Sequence, residues 1–350
     1  MSTAQAEPQI SSGQQQITPD RIMQICWGFA PPLIIESAIH HHVFDVVDAA
    51  PKSLEEICKE TKTDVRATRS VADALVGLNL LSKDKDGRYS TTPESSAFLI
   101  SSKPSFMGGL FRHVSNQLVP PFLNLTEIMR VGSPADTVNK EVLGTEFFKD
   151  FVEDLFPMMY AGAMTLAHHI VSIKSEDRIS VLDLAAGSGV WSVALAQISP
   201  KVKVTAVDWA GIIPVTKRVV ERCGVADKYS YSAGDLLEAD FGEKHSLAIL
   251  GNIIHSEGEP RSHTLLEKTF HALGDGGTIA IAEFLVNEER TEPLMGLIFA
   301  VNMVVHTQDG YTFSFEEIRS WLEAVGFENV RLLPIPGPSP LILADKPKSK

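Results

Sequence analysis

A chain of 350 residues is long for one domain and comfortable for two; 44% hydrophobic and 21% charged residues is an ordinary globular composition, able to bury a sizeable core. A net charge of −13 with no long basic run argues against a nucleic-acid surface, because neutralising phosphates needs clustered Lys and Arg. Three scattered cysteines, Cys26, Cys58 and Cys223, set up neither a disulfide framework nor a zinc spacing; no metal ligand set is expected, and a reducing, cytoplasmic setting fits.

Residues 1–17 are polar and Gln/Ser-rich, without the basic start or apolar core of a signal peptide, and read as a disordered leader. Residues 18–105 read as a winged-helix dimerisation domain. Ser53 with Glu56 three residues on is a capping box at a helix start. Thr63 opens a second helix with Val71, Leu75 and Leu78 at helical spacing, and residues 81–92 read as strand, Asp86-Gly87 turn, strand. The apolar runs Ile22–Ile39 and Phe106–Val131 are expected to be long helices whose surface a second copy of the chain would cover, giving a homodimer. Every apolar stretch looks too short or too interrupted to span a bilayer, so no membrane is expected. Residues 106–170 read as a helical linker and substrate-pocket region.

Residues 171–350 change character. Short β-branched runs at 180–184, 203–207, 229–232, 247–250 and 278–284 alternate with helical patterns at 189–197 and 261–273, as in a doubly wound α/β sheet. Residues 274–277 read as a loop before the fifth strand. A helix over 314–325 stops at Gly326, and two closing strands follow near 330–333 and 341–344.

The chemistry gathers at strand ends. Asp183-Leu-Ala185-Ala-Gly187-Ser-Gly189 sits where a strand gives way to a helix, a place where glycines let backbone approach a ligand and unpaired N–H groups meet an anion. Asp183 suits an ammonium. Asp208, followed by Trp209, ends the next strand and suits ribose hydroxyls; Gly234-Asp235-Leu236 follows the third, with an acid for an adenine amine and an apolar side chain for the ring. Singly, each fits a tight turn or a solvated cap, and the glycine loop alone equally suits a dinucleotide. Acids at three successive strand ends favour S-adenosylmethionine, with S-adenosylhomocysteine as product.

On these motifs, on the strand leading to Ile254-His255, on Ala282-Glu283 and on the 315–327 helix, the sequence resembles the S-adenosylmethionine-dependent O-methyltransferases of the caffeate and acetylserotonin type and their bacterial relatives. The resemblance covers nearly the whole chain from about residue 20. It implies a class I methyltransferase sheet of seven strands behind a winged-helix dimerisation domain, a homodimer, a small-molecule acceptor, a catalytic histidine at His255 and its carboxylate partner at Glu283. A histidine can take the acceptor's proton near neutral pH while the carboxylate holds its tautomer.

Several positions depart from the family pattern. His-Asp-Trp becomes His255-Ser256-Glu257, the preceding Lys-Trp becomes Gly251-Asn252, Ala185 and Ala186 replace two loop glycines, and Thr312 stands where a second acid is expected. Asn252 is counted with the cofactor residues. Met159, Tyr160, Phe299, Met303 and His306 are candidate acceptor-pocket residues. A thiol needs less base than an alcohol, so S-methylation is the alternative, with C-methylation behind it. A DNA-binding regulator is the reading from another class; its recognition helix, 64–78, offers Arg66 and Arg69 and then mostly Ala, Val and Leu.

Overall fold

Proline decides how the N-terminal half is cut. The computed structural model describes residues 17–149, 151–174 and 178–348, so nearly all of the expected leader and the last two residues of the tail lie outside the described residues. A proline has no N–H and its ring crowds the carbonyl four residues back. Accordingly Ile22–Ile39 is not one helix: α1 (Asp20–Cys26) ends at a turn through Trp27–Phe29, and α2 (Ala30–His40) restarts on Pro31-Pro32. Phe106–Val131 likewise splits into α7 (Gly108–His113), a π-helical turn (Val114–Leu118), α8 (Val119–Phe122) on Pro120-Pro121, and α9 (Leu125–Val131). Taken through its turn, the 20–40 segment is 21 residues long and apolar enough to cross a membrane, which corrects the expectation that every stretch is too short. It carries Asp20, Arg21 and Glu36, and belongs to a face with Ile22 71% and Trp27 63% exposed.

Between these lie α3 (Val43–Asp48), α4 (Leu54–Thr61), α5 (Val65–Gly77), the hairpin β1 (Leu81–Lys83) and β2 (Tyr89–Thr91), and α6 (Pro93–Phe98). The Ser53–Glu56 capping box starts α4, and Asp64 caps α5 by accepting from Ala67 N at 3.0 Å. Phe44, Val47, Ile57, Leu75, Leu81 and Tyr89 form the core of this unit. Then α10 (Glu141–Phe148) and α11 (Phe156–Ile173) lead into the sheet.

The sheet has seven strands in the order β5-β4-β3-β6-β7-β9-β8. They are β3 (Ile179–Leu184), β4 (Val202–Asp208), β5 (Tyr229–Ala233), β6 (His245–Gly251), β7 (Leu273–Ala282), β8 (Glu328–Leu333) and β9 (Leu341–Asp345). The first five run parallel; β9 is antiparallel to both β7 and β8. Residues 274–277, expected as a loop, are part of β7, whose pairing with β6 shifts register between His245 and Leu247. The strands are apolar on both faces because both are covered. Val181, Ile249 and Ala280 pack toward α11 and α12 (Val190–Ile198); Leu182, Leu250 and Ile281 pack toward α14 (Ile254–Ala272) and α16 (Phe315–Val325). Completing the order are α13 (Ile213–Arg222) after β4, a 3-10 turn at Ala226–Lys228, and α15 (Leu294–His306) after β7. The α14 span is two helical segments joined across a non-helical Gly258 (φ 72, ψ 171), the second restarting with Pro260 just beyond, close to the helix expected from 261.

Candidate active site

Strand order reverses between β3 and β6, so the loops leaving their C-terminal ends diverge and open a crevice, the usual ligand position in such sheets. The pocket there brings together Ala185, Gly187, Asp208, Trp209, Gly234, Asp235, Leu236, Asn252 and His255 from the ends of β3, β4, β5 and β6. Phe148, Val152, Leu155 and Met159, from α10, the turn after it and α11, roof it. The roof fits closely: a Cβ on Gly144 would lie 2.2 Å from the Trp209 ring, so only glycine lets α10 rest on it.

The loop after β3 is held in an unusual backbone. Ala185, Gly187 and Gly189 have φ of 53°, 54° and 73°. Gly187 takes this region freely, whereas a residue with a Cβ is strained there. Asp208 fixes the turn from the neighbouring strand: Oδ2 accepts from Gly187 N (2.8 Å) and Oδ1 from Trp209 N (2.7 Å). Burial pushes its carboxyl up to about 6, against those backbone donors. Gly189 caps α12 and stands behind the pocket lining.

Asp183, expected to meet an ammonium, does not line the pocket. It is buried beneath the loop and accepts the Ser192 hydroxyl from the first turn of α12; Ser192 also meets the Tyr229 hydroxyl at 2.9 Å. Burial raises the Asp183 carboxyl to about 7, Ser192 opposing and the nearby Asp208 adding to the rise.

At the other end, His255 Nδ1 is 2.7 Å from Glu283 Oε2, and Glu283 Oε1 also accepts His255 N at 3.3 Å. Both residues are buried, and among the described residues Nε2 has no protein partner. Glu283 thus defines the ring's orientation from behind. The His255 carbonyl accepts from Tyr311 N (2.8 Å), and a Cβ on Gly310 would come within 2.6 Å of that carbonyl. Phe299 meets the His255 ring edge-on at 4.8 Å and Phe284 at 4.2 Å. Thr312, in the place of a second acid, is buried with no partner for its hydroxyl among the described residues.

Three expected acceptor residues stand elsewhere. Tyr160 is one step from Met159, about 100° around the helix, and turns to α12, where its hydroxyl donates to Gln197 (2.8 Å). Met303 is buried in α15 outside the pocket lining. His306 spans carbonyls, Nδ1 2.9 Å from Asn302 O and Nε2 3.3 Å from Gln117 O, beside Phe147.

The sequence reading missed Glu257, Arg261 and Ser339. Glu257 lines the pocket and meets Arg261, which also holds Asp235; Ser339 accepts from Asn252 Nδ2 (2.9 Å), anchoring a residue at φ 61°. Glu257 and Arg261 stand at the i,i+4 spacing of a helical ion pair, but Gly258 and Pro260 between them argue against a helix there.

Residues 153–328 match the O-methyltransferase domain and residues 23–101 the O-methyltransferase dimerisation domain. The chain belongs to the O-methyltransferases. The tetracenomycin polyketide synthesis 8-O-methyl transferase TcmO of Streptomyces glaucescens is 25% identical, covering 94% of this chain and 97% of its own. Acetylserotonin O-methyltransferase of Gallus gallus is 26% identical over 90% of this chain and 93% of its own. A solved structure from Nostoc punctiforme, assigned to the O-methyltransferases, superposes with a TM-score of 0.86 at 25% identity, covering 95% and 100% of the two chains.

This methyltransferase family uses S-adenosylmethionine, and the residues present suit that cofactor. Carboxylates of Asp208, Asp235 and Glu257 line a pocket for a ligand bearing a sulfonium and an ammonium; the 185–188 backbone borders it, and Leu236, Phe148 and Val152 supply apolar walls.

Proposed function

We propose that this enzyme transfers a methyl group from S-adenosylmethionine to a hydroxyl oxygen of a small aromatic acceptor, with His255 as general base. The observation that carries this reading is the buried His255–Glu283 pair, which leaves one imidazole nitrogen unengaged at the pocket's end. Phe299 and Phe284 beside the imidazole offer flat apolar surface to an aromatic ring. The Streptomyces relative's 8-O-methyl transfer in polyketide synthesis supports transfer to oxygen.

When bound, the cofactor supplies a methyl carbon on a positive sulfur with a neutral leaving group. Asp208, Asp235 and the 185–188 backbone would hold it. His255 Nε2 accepts the acceptor's proton as the oxygen attacks, and Glu283 keeps Nδ1–H in place and stabilises the imidazolium. The Phe148, Val152 and Leu155 roof keeps water out and fixes alignment, the main demand of an in-line displacement.

We infer further that the working unit is a homodimer. The dimerisation match, together with Ile22, Trp27, Leu123, Met129 and Leu294 exposed on helices or the turns that end them, supports it. Three cysteines outside any disulfide suit a reducing, cytoplasmic compartment.

The acceptor reading is tested by incubating the purified protein with methyl-labelled cofactor and a panel of phenols, naphthols, thiols and amines. Oxygen-labelled products from the aromatic hydroxyls are expected. Label appearing only on sulfur or nitrogen overturns the reading.

A further inference from the structure

The loop after β5 has a mechanical problem. β5 is the edge strand of the sheet, so the segment 234–241 that follows it lacks a strand on its outer side. The second half of α14 holds it instead. Arg261 and Lys268, seven residues apart and so on one helix face, both reach into it. Lys268 Nζ donates to the carbonyls of Leu236 (3.0 Å) and Ala239 (2.5 Å). Arg261 Nη2 donates to both oxygens of Asp235 (2.8 and 3.0 Å), while Asp235 Oδ1 also accepts from Leu237 N (2.9 Å).

Arg261 has a second partner. Its Nε lies 2.5 Å from Glu257 Oε2, and the Glu257 side chain is only 5% exposed. Burial pushes the Glu257 carboxyl up and Arg261 draws it back down. Glu257 and Asp235 both line the pocket, and both bond to this guanidinium, Glu257 at Nε and Asp235 at Nη2. The kink at Gly258 makes this possible: His255 and Glu257 are presented before it, and the helix restarts in time to turn Arg261 back across Glu257. That glycine sits so close to Asp309 that a Cβ would fall 2.5 Å from the Asp309 carbonyl.

We propose that Arg261 is a positioning residue for the purine end of the cofactor pocket, acting through Asp235 and Glu257 without touching the cofactor. A bare Asp235 would keep only its bond from Leu237 N, and beside a bare Glu257 it would face like charge in a partly dry cavity. With the guanidinium bonded to both, Asp235 keeps one orientation and one exposed edge, ready to accept from an exocyclic amine. Glu257 is the second anchor of the arginine. The inference rests on the cofactor and on Asp235 marking its purine end; it is independent of which acceptor is methylated.

Calorimetric binding of S-adenosylhomocysteine and of its S-inosyl analogue, which offers a carbonyl in place of the amine, tests it without any turnover. Wild type should favour the adenosyl ligand. Arg261→Ala should weaken that ligand by about tenfold and the inosyl ligand much less, collapsing the preference. Arg261→Lys should fall between, and adding Glu257→Gln to Arg261→Ala should recover much of the lost affinity by removing the unpaired carboxylate. Thermal melting identifies variants that fail to fold; if Arg261→Ala fails, Arg261→Lys and Glu257→Gln carry the comparison. Asp235→Ala separates the two premises. An unchanged preference there shows that Asp235 does not mark the purine end and overturns the proposal at its base. A lost preference in Asp235→Ala, with Arg261→Ala and Arg261→Lys both like wild type, overturns the role of Arg261 alone.

Discussion

The two ends of the pocket are built by different means. At the cofactor end, adjacent parallel strands deliver Asp208, Asp235 and the 185–189 loop, and Asp208 holds that loop through backbone N–H groups. At the His255 end, side chains from β7, α14 and α15 meet across the fold, and their positions depend on packing. The first construction follows from strand register, with the Asp208 and Arg261 side chains setting its detail. The second rests on a few contacts, so substitutions there should act on turnover rather than on cofactor affinity.

The largest expected effect tests that division directly. His255→Gln should cost on the order of 10²–10⁴ in kcat, the usual contribution of a positioned general base, while S-adenosylhomocysteine affinity stays within a few-fold of wild type. Glu283→Gln should give a smaller loss of the same kind, because the amide can still hold the ring but does not stabilise the imidazolium. Steady-state kinetics with parallel calorimetry decides. Full turnover in His255→Gln removes the base; a large loss of affinity in either variant erases the distinction between the two ends.

The same contrast governs what the sequence disclosed. Asp208, Asp235 and Gly187 were legible because a residue at the end of a parallel strand has one place to be, and buried strands announce themselves as apolar runs. Asp183 was legible as a strand-end acid but not as a buried one, since its partner Ser192 comes from the following helix. Tyr160 and Met303 were misplaced for a related reason: composition names a helix's large side chains, but only tertiary packing selects the face that meets the pocket. Arg261 stayed hidden because Gly258 does interrupt the helical backbone, and only the structure shows that the helix restarting after it turns Arg261 back onto Glu257. Pro31, Pro32, Pro120 and Pro121 carried a readable signal, and the long helices expected over them broke there.

A mid-sized effect should appear in stability against pH. Asp183 is held at about 7 and Asp208 at about 6, both raised mainly by burial. The folded chain therefore keeps protons that the unfolded chain, with ordinary carboxyls near 4, has already released. Protons bound to the native state alone make stability fall as pH rises, from about 4 until both groups have ionised near 7. Asp183→Asn removes one of these groups. Its melting temperature should gain on wild type as pH goes from 5 to 8, and thermal melts across that range would show it. A difference between variant and wild type that stays constant from pH 5 to 8 would mean that Asp183 folds ionised.

The smallest effect belongs to the loop itself. Ala185 stands at φ 53°, where an L side chain crowds the following carbonyl at about 1–2 kcal/mol. Ala185→Gly should relieve that strain and lose some of the gain to the freer unfolded chain, leaving a net stabilisation of about 0.5–1 kcal/mol. A urea melt reads this as a higher midpoint with an unchanged slope. Because Asp208 already fixes the neighbouring Gly187, cofactor affinity should not change. Should Ala185→Gly weaken S-adenosylhomocysteine instead, the alanine methyl would be part of the binding surface, and the cofactor end would depend on side-chain packing as much as the His255 end does.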